Sequence, residues 1–228
     1  MIKTNRRIEA ICVFVTEKII ADIGSDHGFI TKNLLNKNIV DFAFVTDISL
    51  KCLDKAKDNL KDLSSHITFI QGDGLEMFLD EKLAQKNHNS VPKQIIIAGM
   101  GGREIKKILS QDTERKFKKF ILQPQKNAQE LRQFLQKNKF EIMEDVLVKE
   151  GKMFYNIIVA ERGDKEQNLT EMEMLFGKTN LEKPSVDFFD FINYEKQKCE
   201  IILKKKKVAS VEKKLSMLNK IDLGGKNV

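Results

Sequence analysis

The sequence predicts an α/β fold: a mostly parallel sheet of seven strands covered by helices, followed by an α-helical, coiled-coil-like segment. Short apolar runs that end in glycine-bearing or polar turns alternate with segments at helical spacing, which is typical of parallel strands buried on both faces. Glu150-Gly151 separates two runs of alternating hydrophobicity, which predicts a hairpin and one antiparallel strand inserted near the sheet edge. Strand-like runs end after residue 163, where the composition changes.

The individual elements follow from these patterns in chain order. Strands are expected at residues 19–23, 42–48, 67–70, 93–98, 119–122, 140–149 and 152–161. Helices are expected at residues 2–16, 29–35, 50–60, 103–109, 128–136, 185–207 and 210–221. Ser49 and Asn127 are interpreted as N-caps of the third and fifth of these helices. Residues 81–92, which include His88, are expected to form a solvated polar loop.

Length and composition limit the class of protein. A chain of 228 residues can bury one full core and carry an appendage. The 40 lysines and arginines exceed the 33 acids by seven, which fits a polyanion such as nucleic acid, although general use of lysine as a polar residue explains the excess equally well. Cys12, Cys52 and Cys199 lack metal-ligand spacing, so we expect no metal and a reducing, cytoplasmic location. We also expect no secretory leader, no membrane span and no obligate protein partner.

The turn after the first apolar strand carries the strongest single motif. A dinucleotide fingerprint, G-x-G-x-x-G, would need glycine at 24, 26 and 29, and the chain offers only Gly24. The pattern acidic-x-G-x-G-x-G matches at Asp22, Gly24 and Gly28, with Asp26 in place of the middle glycine. This pattern resembles the first motif of class I S-adenosylmethionine-dependent methyltransferases. The resemblance implies that Gly24, Ser25 and Gly28 approach the cofactor's carboxylate end and that Asp22 lies near its ammonium or sulfonium group.

Acidic residues follow the next two strands. Asp47 ends the second apolar run, 23 residues after Gly24, which is the spacing at which nucleotide-binding α/β folds hold ribose hydroxyls. Ile48 next to it is expected to contact the cofactor. Asp73, followed by Gly74, comes after the third strand, where class I methyltransferases bind the adenine N6 amine. An Asp-Gly pair is also an ordinary turn, so this motif gains its meaning from the others.

The fourth strand ends in a second glycine-rich turn, Gly99-Met100-Gly101-Gly102. Many adenine N6-methyltransferases carry Asn or Asp, two prolines and an aromatic residue here, and this chain has neither the amide nor the prolines. We expect Gly99 and Met100 to border the cofactor, and the remaining glycines to leave room for a flat base. The residues expected to contact the substrate are Arg6, Arg7, His27, Gly101, Gly102, Gln123 and Tyr155.

The ordered set ADIGSDHGF, TDIS, QGDGLE, IAGMGG, ILQP and FYNIIVAERG closely resembles one family over residues 1–163. It is similar to the bacterial tRNA (adenine-N1)-methyltransferases that act on adenine 22. The resemblance implies a Rossmann-like class I methyltransferase fold, S-adenosylmethionine as donor, and the D-arm of tRNA as substrate. It divides the chain into a catalytic domain, residues 1–163, and a C-terminal helical domain, residues 164–228, that helps hold the tRNA. Phe29 departs from the pattern of some relatives, which carry tyrosine there.

The expected chemistry is direct attack of the adenine N1 lone pair on the donor methyl, with the enzyme supplying position and desolvation. Asp26 is the candidate catalytic residue, since a carboxylate aimed at the base would stabilise the developing cation or accept an N6 proton. The alternative is that Asp26 only suits the turn geometry. Two other functions stay open: a methyltransferase for a small molecule or protein, and a non-catalytic RNA-binding protein on the same scaffold.

Overall fold

The computed structural model describes residues 5–79, 91–164 and 167–221. Its strands are β1 (Ile19–Ile23), β2 (Phe42–Asp47), β3 (Ile67–Gln71), β4 (Gln94–Met100), β5 (Lys119–Pro124), β6 (Phe140–Glu150) and β7 (Met153–Arg162). They form one sheet in the order β3-β2-β1-β4-β5-β7-β6. Among the described strands, β7 runs opposite to the other six, so the predicted seven-stranded, mostly parallel sheet is confirmed. Most of the predicted polar loop, including His88, lies outside the described residues.

Helices flank the sheet on both faces and continue after it. The helix α1 (Arg6–Val13) precedes β1, and the helices between the strands are α2 (Phe29–Asn36), α3 (Leu50–Leu60), α4 (Glu76–Leu79), α5 (Gly102–Gln111) and α6 (Ala128–Lys137). Those after the sheet are α7 (Glu171–Phe176), α8 (Lys178–Glu182), α9 (Val186–Lys205) and α10 (Ala209–Asn219). The predicted pair of C-terminal helices therefore exists as α9 and α10. The short helices α7 and α8 fall after residue 163, in a stretch for which the sequence predicted no helix.

Two apolar cores, one on each face of the sheet, explain why the central strands are apolar at successive positions. Ile20 of β1 belongs to the core that includes Ile11 of α1 and Leu34 of α2. The next residue, Ala21, belongs to the opposite core with Ile105 of α5 and Leu131 of α6. Since strand side chains alternate between faces, each central strand contributes to both cores. The polar residues that end these strands are therefore left at the edge of the sheet.

One predicted helix cap is confirmed and the other is wrong. The Ser49 side chain accepts a hydrogen bond from the backbone N–H of Cys52 and begins α3 as expected. Asn127 precedes α6, but its backbone is left-handed, with φ 61, and its side chain makes no cap hydrogen bond. A capping side chain needs an extended backbone to reach the first free N–H groups. Asn127 donates instead to the carboxylate of Glu130.

The outer strand β6 is covered by side chains from the C-terminal segment. The backbone N–H groups of Asp145 and Leu147 donate to Thr179 and Asn180 of α8, each at 3.0 Å. The N–H of Lys149 donates to Asp187 of α9 at 2.9 Å. These acceptors replace the neighbouring strand that an edge lacks, and so leave fewer free groups for pairing with another chain.

A buried ion pair and a third apolar core hold the C-terminal helices. Arg132 of α6 binds both carboxylate oxygens of Asp145, at 2.6 and 2.9 Å, and also donates to the main-chain oxygen of Met174 in α7. Phe188 of α9 and Leu218 of α10 are fully buried in a core of their own. Although α9 has 20 residues, no helix in the described part of the chain is long and apolar enough to cross a membrane.

Candidate active site

Two cavities of about 280 Å³ each open at the edge of the sheet where the parallel strands end. The turn cavity lies along the turn between β1 and α2, with Arg7 and Gly99 on its other side. The strand-tip cavity lies beyond the ends of β2 and β3, and α5 forms its far wall. Gly24 lines both cavities. An elongated ligand can therefore extend from one cavity into the other past Gly24, at the edge where open α/β sheets bind ligands.

Asp22 is a buried carboxylate in the lining of the turn cavity. It is 3% exposed, and one of its oxygens accepts hydrogen bonds from Ser25 Oγ and Thr31 Oγ1, both at 2.9 Å. Burial raises the pKa of Asp22, although these hydrogen bonds oppose the shift. No lysine or arginine within the described ranges forms an ion pair with it. A cationic group on a ligand is therefore the partner that this carboxylate lacks.

The glycines of the first turn let the backbone approach its neighbours closely. Gly24 has φ 72, and a Cβ there would lie 1.8 Å from Met100 Cε. Gly28 has φ 66, and a Cβ there would lie 2.4 Å from Leu60 Cδ1. Both positions combine a left-handed backbone with a close contact, so a larger residue would be strained and would displace a side chain. Met100 lies directly over Gly24, at the boundary between the two cavities.

The strand-tip cavity combines an apolar surface with acidic residues at its rim. Asp47 ends β2, and its Oδ1 accepts the backbone N–H of Ser49 at 2.8 Å. Ile48 is 65% exposed, an unusual exposure for an isoleucine beside a cavity. Asp73 is exposed, and Gly74 after it has φ 59. All four lie in the cavity lining, as their positions at successive strand ends predict.

Helix α5 supplies cavity residues that the sequence did not predict. Glu104, Lys107, Ile108 and Gln111 lie on one face of the helix and line the strand-tip cavity. Gln111 Oε1 also accepts the backbone N–H of Leu75 at 2.7 Å, which fixes the turn that carries Asp73. Their i, i+3, i+4 and i+7 spacing after the second glycine-rich turn is the sequence pattern that could have predicted this helix face.

Asp26 lies at the mouth of the turn cavity, half exposed, within a small charged group. Its carboxylate contacts Lys55 Nζ at 3.0 Å and His27 Nε2 at 3.3 Å. The hydrogen bond from Lys55 is the largest cause that lowers the pKa of Asp26, so the carboxylate is ionised at neutral pH. The His27 ring stacks on Phe29, with 5.2 Å between the centroids.

Arg7, Gln123 and Tyr155 form a second polar group beside the turn cavity. Gln123 is fully buried, and its Oε1 accepts from Arg7 Nη1 at 2.7 Å and from the backbone N–H of Gly99 at 3.2 Å. Since both partners are donors, the orientation of the amide is fixed. Gln123 Nε2 is buried with no hydrogen-bond partner among the described residues. The Arg7 guanidinium lies 5.3 Å from the centre of the Tyr155 ring.

The family comparison decides what kind of site this is. A model of the tRNA (adenine(22)-N(1))-methyltransferase family, TrmK, matches residues 20–223. This chain belongs to the TrmK family.

Individual relatives agree with TrmK membership. A curated protein of Mycoplasma pneumoniae is 36% identical over 176 residues, 75% of this chain and 78% of that protein. The tRNA (adenine(22)-N(1))-methyltransferase of Bacillus subtilis is 29% identical over 170 residues, 72% of this chain and 68% of that one. A Streptococcus pneumoniae protein, solved in complex with S-adenosylmethionine, is 26% identical, with a TM-score of 0.82 over 95% of this chain and 98% of that one. The resemblance seen in the sequence and its Rossmann-like methyltransferase fold are confirmed.

The residues of the two cavities fit S-adenosylmethionine better than a dinucleotide. Asp22, buried without a cation, suits a ligand with positive ammonium and sulfonium groups, and it would repel a pyrophosphate. The exposed apolar face of Ile48 suits a nucleoside ring, with Asp47 and Asp73 in reach of its polar edges. In the described ranges, no group of three or more His, Cys, Asp or Glu side chains is arranged to hold a metal ion.

Five of the residues expected to contact substrate do not line either cavity in this structure: Arg6, Gly101, Gly102, Gln123 and Tyr155. Arg6 points away from the site, because its guanidinium binds the main-chain oxygen of Lys149 and the carboxylate of Asp187. A Cβ at the buried Gly102 would lie 2.5 Å from the backbone oxygen of Asn127, so this glycine permits close packing of α5 against a loop. Gly101 lies at the start of α5, and a Cβ there would meet Glu104.

Proposed function

We propose that this protein transfers a methyl group from S-adenosylmethionine to N1 of adenine 22 in the D-arm of tRNA. One observation carries the proposal: two cavities meet at Gly24 and are bordered by Asp22, Asp47 and Asp73, at three strand ends, in a member of the TrmK family. Membership of that family favours tRNA over a small molecule or a protein as substrate. Because the two cavities fit S-adenosylmethionine, a role limited to RNA binding is also disfavoured.

The cofactor would lie across both cavities. We assign its amino acid end to the turn cavity, with Asp22 near the ammonium or sulfonium group and the backbone of Gly24, Ser25 and Gly28 near the carboxylate. We assign the nucleoside to the strand-tip cavity, with Asp47 at the ribose and Asp73 at the adenine amine. Ile48, Gly74, Gly99 and Met100 complete these contacts. When bound, S-adenosylmethionine supplies an electrophilic methyl group on a positively charged sulfur.

The protein's own contribution to the reaction is position and charge. Adenine N1 carries an in-plane lone pair, so the enzyme has to hold the base edge-on to the donor and to exclude water. Positive charge then appears on the base, and the ionised Asp26 at the cavity mouth would stabilise it. Because the pKa of Asp26 is lowered, this carboxylate is a poor proton acceptor. We therefore assign it an electrostatic role.

The base would lie beside the turn cavity, between two groups of polar side chains. On one side are Asp26 and His27, and on the other are Arg7, Gln123 and Tyr155. The unpartnered Gln123 Nε2 offers a hydrogen-bond donor, and the Tyr155 ring offers a stacking surface. A stacked or paired adenine has to be extruded before it can reach this position.

We propose that residues 1–163 form the catalytic domain and residues 164–228 a helical domain that contacts tRNA. The apolar side chains of α9 and α10 form a core that is separate from the two cores of the sheet, which supports the division. The excess of seven basic residues and the run of four lysines at 204–207 suit a phosphate backbone. Arg6 joins the two parts through Asp187, so its role would be to hold the helical domain. A tRNA substrate and three free cysteines favour the cytoplasm.

The test is methylation of purified tRNA. The protein is incubated with S-adenosylmethionine and unmodified tRNA, and the nucleosides are analysed by mass spectrometry. We expect 1-methyladenosine, and we expect none when guanine replaces adenine 22. Methyl transfer to a cell extract stripped of RNA, with none to tRNA, would show that a small molecule or a protein is the substrate.

A further inference from the structure

A third cavity, of about 390 Å³, opens on the side of the sheet opposite the active site, where the parallel strands begin. It lies where α5 and α6 end, where β6 begins and where β7 ends. We call it the basal cavity. The lining residues are Leu109, Ser110, Asp112, Thr113, Arg115, Phe134, Lys137, Asn138, Lys139, Phe140 and Arg162. None of them takes part in the methyl transfer described above.

The basal cavity has a strong excess of positive charge. Four of its residues are cations, and Asp112 is its one acid. Asp112 is already satisfied, because its oxygens accept the backbone N–H groups of Lys116 and Phe117, and because it pairs with Arg162 at 3.2 Å. In the described ranges, Arg115, Lys137 and Lys139 have no carboxylate within 4.0 Å. Three positive charges therefore converge on one cavity without a counterion.

Arg162 adds a buried donor that lacks a partner. Its side chain is 5% exposed, and its guanidinium lies 4.5 Å from the centre of the Phe140 ring. Burial lowers the pKa of Arg162, and Asp112 opposes that shift. Nη2 has partners, but Nε is buried with no hydrogen-bond partner in the described part of the chain. Buried polar groups are nearly always paired, so the unpaired Nε beside the cavity adds an unsatisfied donor to this positively charged group.

Two of the cations lie at backbone positions that normally favour glycine. Arg115 has φ 58 and Lys139, which follows the C-terminus of α6, has φ 59. Left-handed backbone is costly for residues with a Cβ, and glycine is the common residue directly after a helix. Both positions nevertheless carry long cationic side chains that line the cavity.

We propose that the basal cavity binds a phosphate group. Guanidinium and ammonium groups together are the usual ligands of phosphate in proteins, and Ser110, Thr113 and Asn138 provide further polar atoms. The phosphate belongs either to a small molecule, such as a mononucleotide or inorganic phosphate, or to the backbone of RNA that extends past this edge. The chemistry is the same in both cases, and the two sources differ in what they compete with.

The test uses the full chain and the double variant Lys137→Gln/Lys139→Gly. Glycine at position 139 relieves the left-handed backbone, so we expect no loss of thermal stability, and weaker binding can then be attributed to the lost charge. Lys37→Gln is the matched control, because Lys37 is an exposed lysine at the end of α2, away from the basal cavity. Inorganic phosphate is titrated by phosphorus NMR, and tRNA binding is measured by fluorescence anisotropy at fixed salt.

We expect the double variant to bind one of the two ligands at least about fivefold more weakly, since two phosphate contacts are lost, while Lys37→Gln binds like the parent. Weaker tRNA binding with a reduced salt dependence identifies an RNA phosphate. Weaker inorganic phosphate binding with unchanged tRNA binding identifies a small ligand. If both ligands bind the double variant as they bind the parent, or if Lys37→Gln weakens binding equally, the proposal is wrong. Neither result depends on methylation of adenine 22.

Discussion

At the scale of single residues, the site is defined by carboxylates in contrasting surroundings. Asp22 is buried with two hydroxyl donors, and Asp26 is exposed beside a lysine. Burial raises the pKa of the first, and the lysine lowers the pKa of the second. The protein therefore holds one carboxylate whose charged form is disfavoured until a cation binds, and one whose charged form is favoured. This contrast suits a reaction in which positive charge moves from the donor to the base.

The first prediction concerns Asp22→Asn. A carboxyl group whose pKa is raised in the folded state binds more protons when folded, so the protein loses stability as pH rises from the ordinary value of 3.8 to the raised pKa. Asparagine does not titrate. We expect the variant to be more stable than the parent at pH 7, with the difference in unfolding free energy vanishing below pH 3.8. Urea unfolding across this pH range measures it.

The same variant should bind S-adenosylmethionine and its product S-adenosylhomocysteine more weakly. We expect a loss of affinity of about tenfold or more, because a buried charge pair is lost. Isothermal calorimetry provides the affinity. A variant that is less stable at pH 7 and binds the cofactor normally would show that Asp22 is a structural residue and not a cofactor ligand.

The second prediction separates Asp26 from Lys55. We expect Asp26→Ala to retain cofactor affinity and to lose about 100-fold or more in kcat, as when an electrostatic partner of a transition state is removed. Lys55→Ala keeps the carboxylate but removes the hydrogen bond that lowers its pKa. We therefore expect it to keep most of its activity at pH 8 and to lose activity at a higher pH than the parent does as the solution is acidified. Unchanged turnover in Asp26→Ala would exclude Asp26 from the reaction.

The residues that could be predicted from sequence are those at strand ends. Asp22, Asp47 and Asp73 follow apolar runs, and parallel strands bring their ends to one edge, so their clustering needs no knowledge of long-range packing. Thr31 donates to Asp22, Lys55 donates to Asp26, and Gln111 fixes the turn that carries Asp73. They could not be predicted, because each depends on where a helix docks, which one sequence does not determine.

At the scale of elements, the turn after β1 and the end of β4 meet at Gly24 and Met100. We expect Gly24→Ala to be destabilised by about 1–2 kcal/mol through its left-handed backbone, while the end of the flexible Met100 side chain is pushed aside at little cost. Cofactor affinity should fall as well, because Met100 is displaced at the boundary of the two cavities. Thermal unfolding and calorimetry measure the two effects.

Gly151→Ala is the control for this third prediction. Gly151 has φ 61, and a Cβ there would have no neighbour within 4 Å. We expect it to show the backbone penalty alone, with normal cofactor affinity. If Gly24→Ala and Gly151→Ala behave alike in both measurements, the close approach at Gly24 has no importance for the cofactor.

The long elements were predictable and the short ones were not. Apolar runs and caps placed β1, α3 and the hairpin of β6 and β7 within two residues of their observed ends. The helices α7 and α8 have six and five residues, too few for a helical period to stand out. Thr170 and Glu173 form a capping box at the start of α7, and that local signal was available in the sequence.

At the scale of the whole molecule, the active site lies where the parallel strands end and the basal cavity lies where they begin. The C-terminal segment covers β6, the outer strand of the sheet. The proposed division at residue 163 is therefore not a division into independent parts. The segment after it supplies Thr179, Asn180 and Asp187 to the backbone of β6.

The fourth prediction follows from the hydrogen bonds that the C-terminal segment accepts from the backbone of β6. We expect a chain that ends at residue 163 to associate or precipitate, because β6 would then expose unpaired N–H groups along a long edge. Analytical ultracentrifugation and circular dichroism compare it with the full chain. A monomeric truncated chain with full cofactor affinity would show that the catalytic domain is stable by itself.

The central claim is that one S-adenosylmethionine site spans both cavities. The most direct measurement is a crystal structure of the protein soaked with S-adenosylhomocysteine. We predict one molecule that passes Gly24, with its amino acid end near Asp22 and its adenine between Ile48 and Asp73. A ligand bound elsewhere, or a nicotinamide dinucleotide that occupies the same two cavities in a parallel soak, would contradict the account.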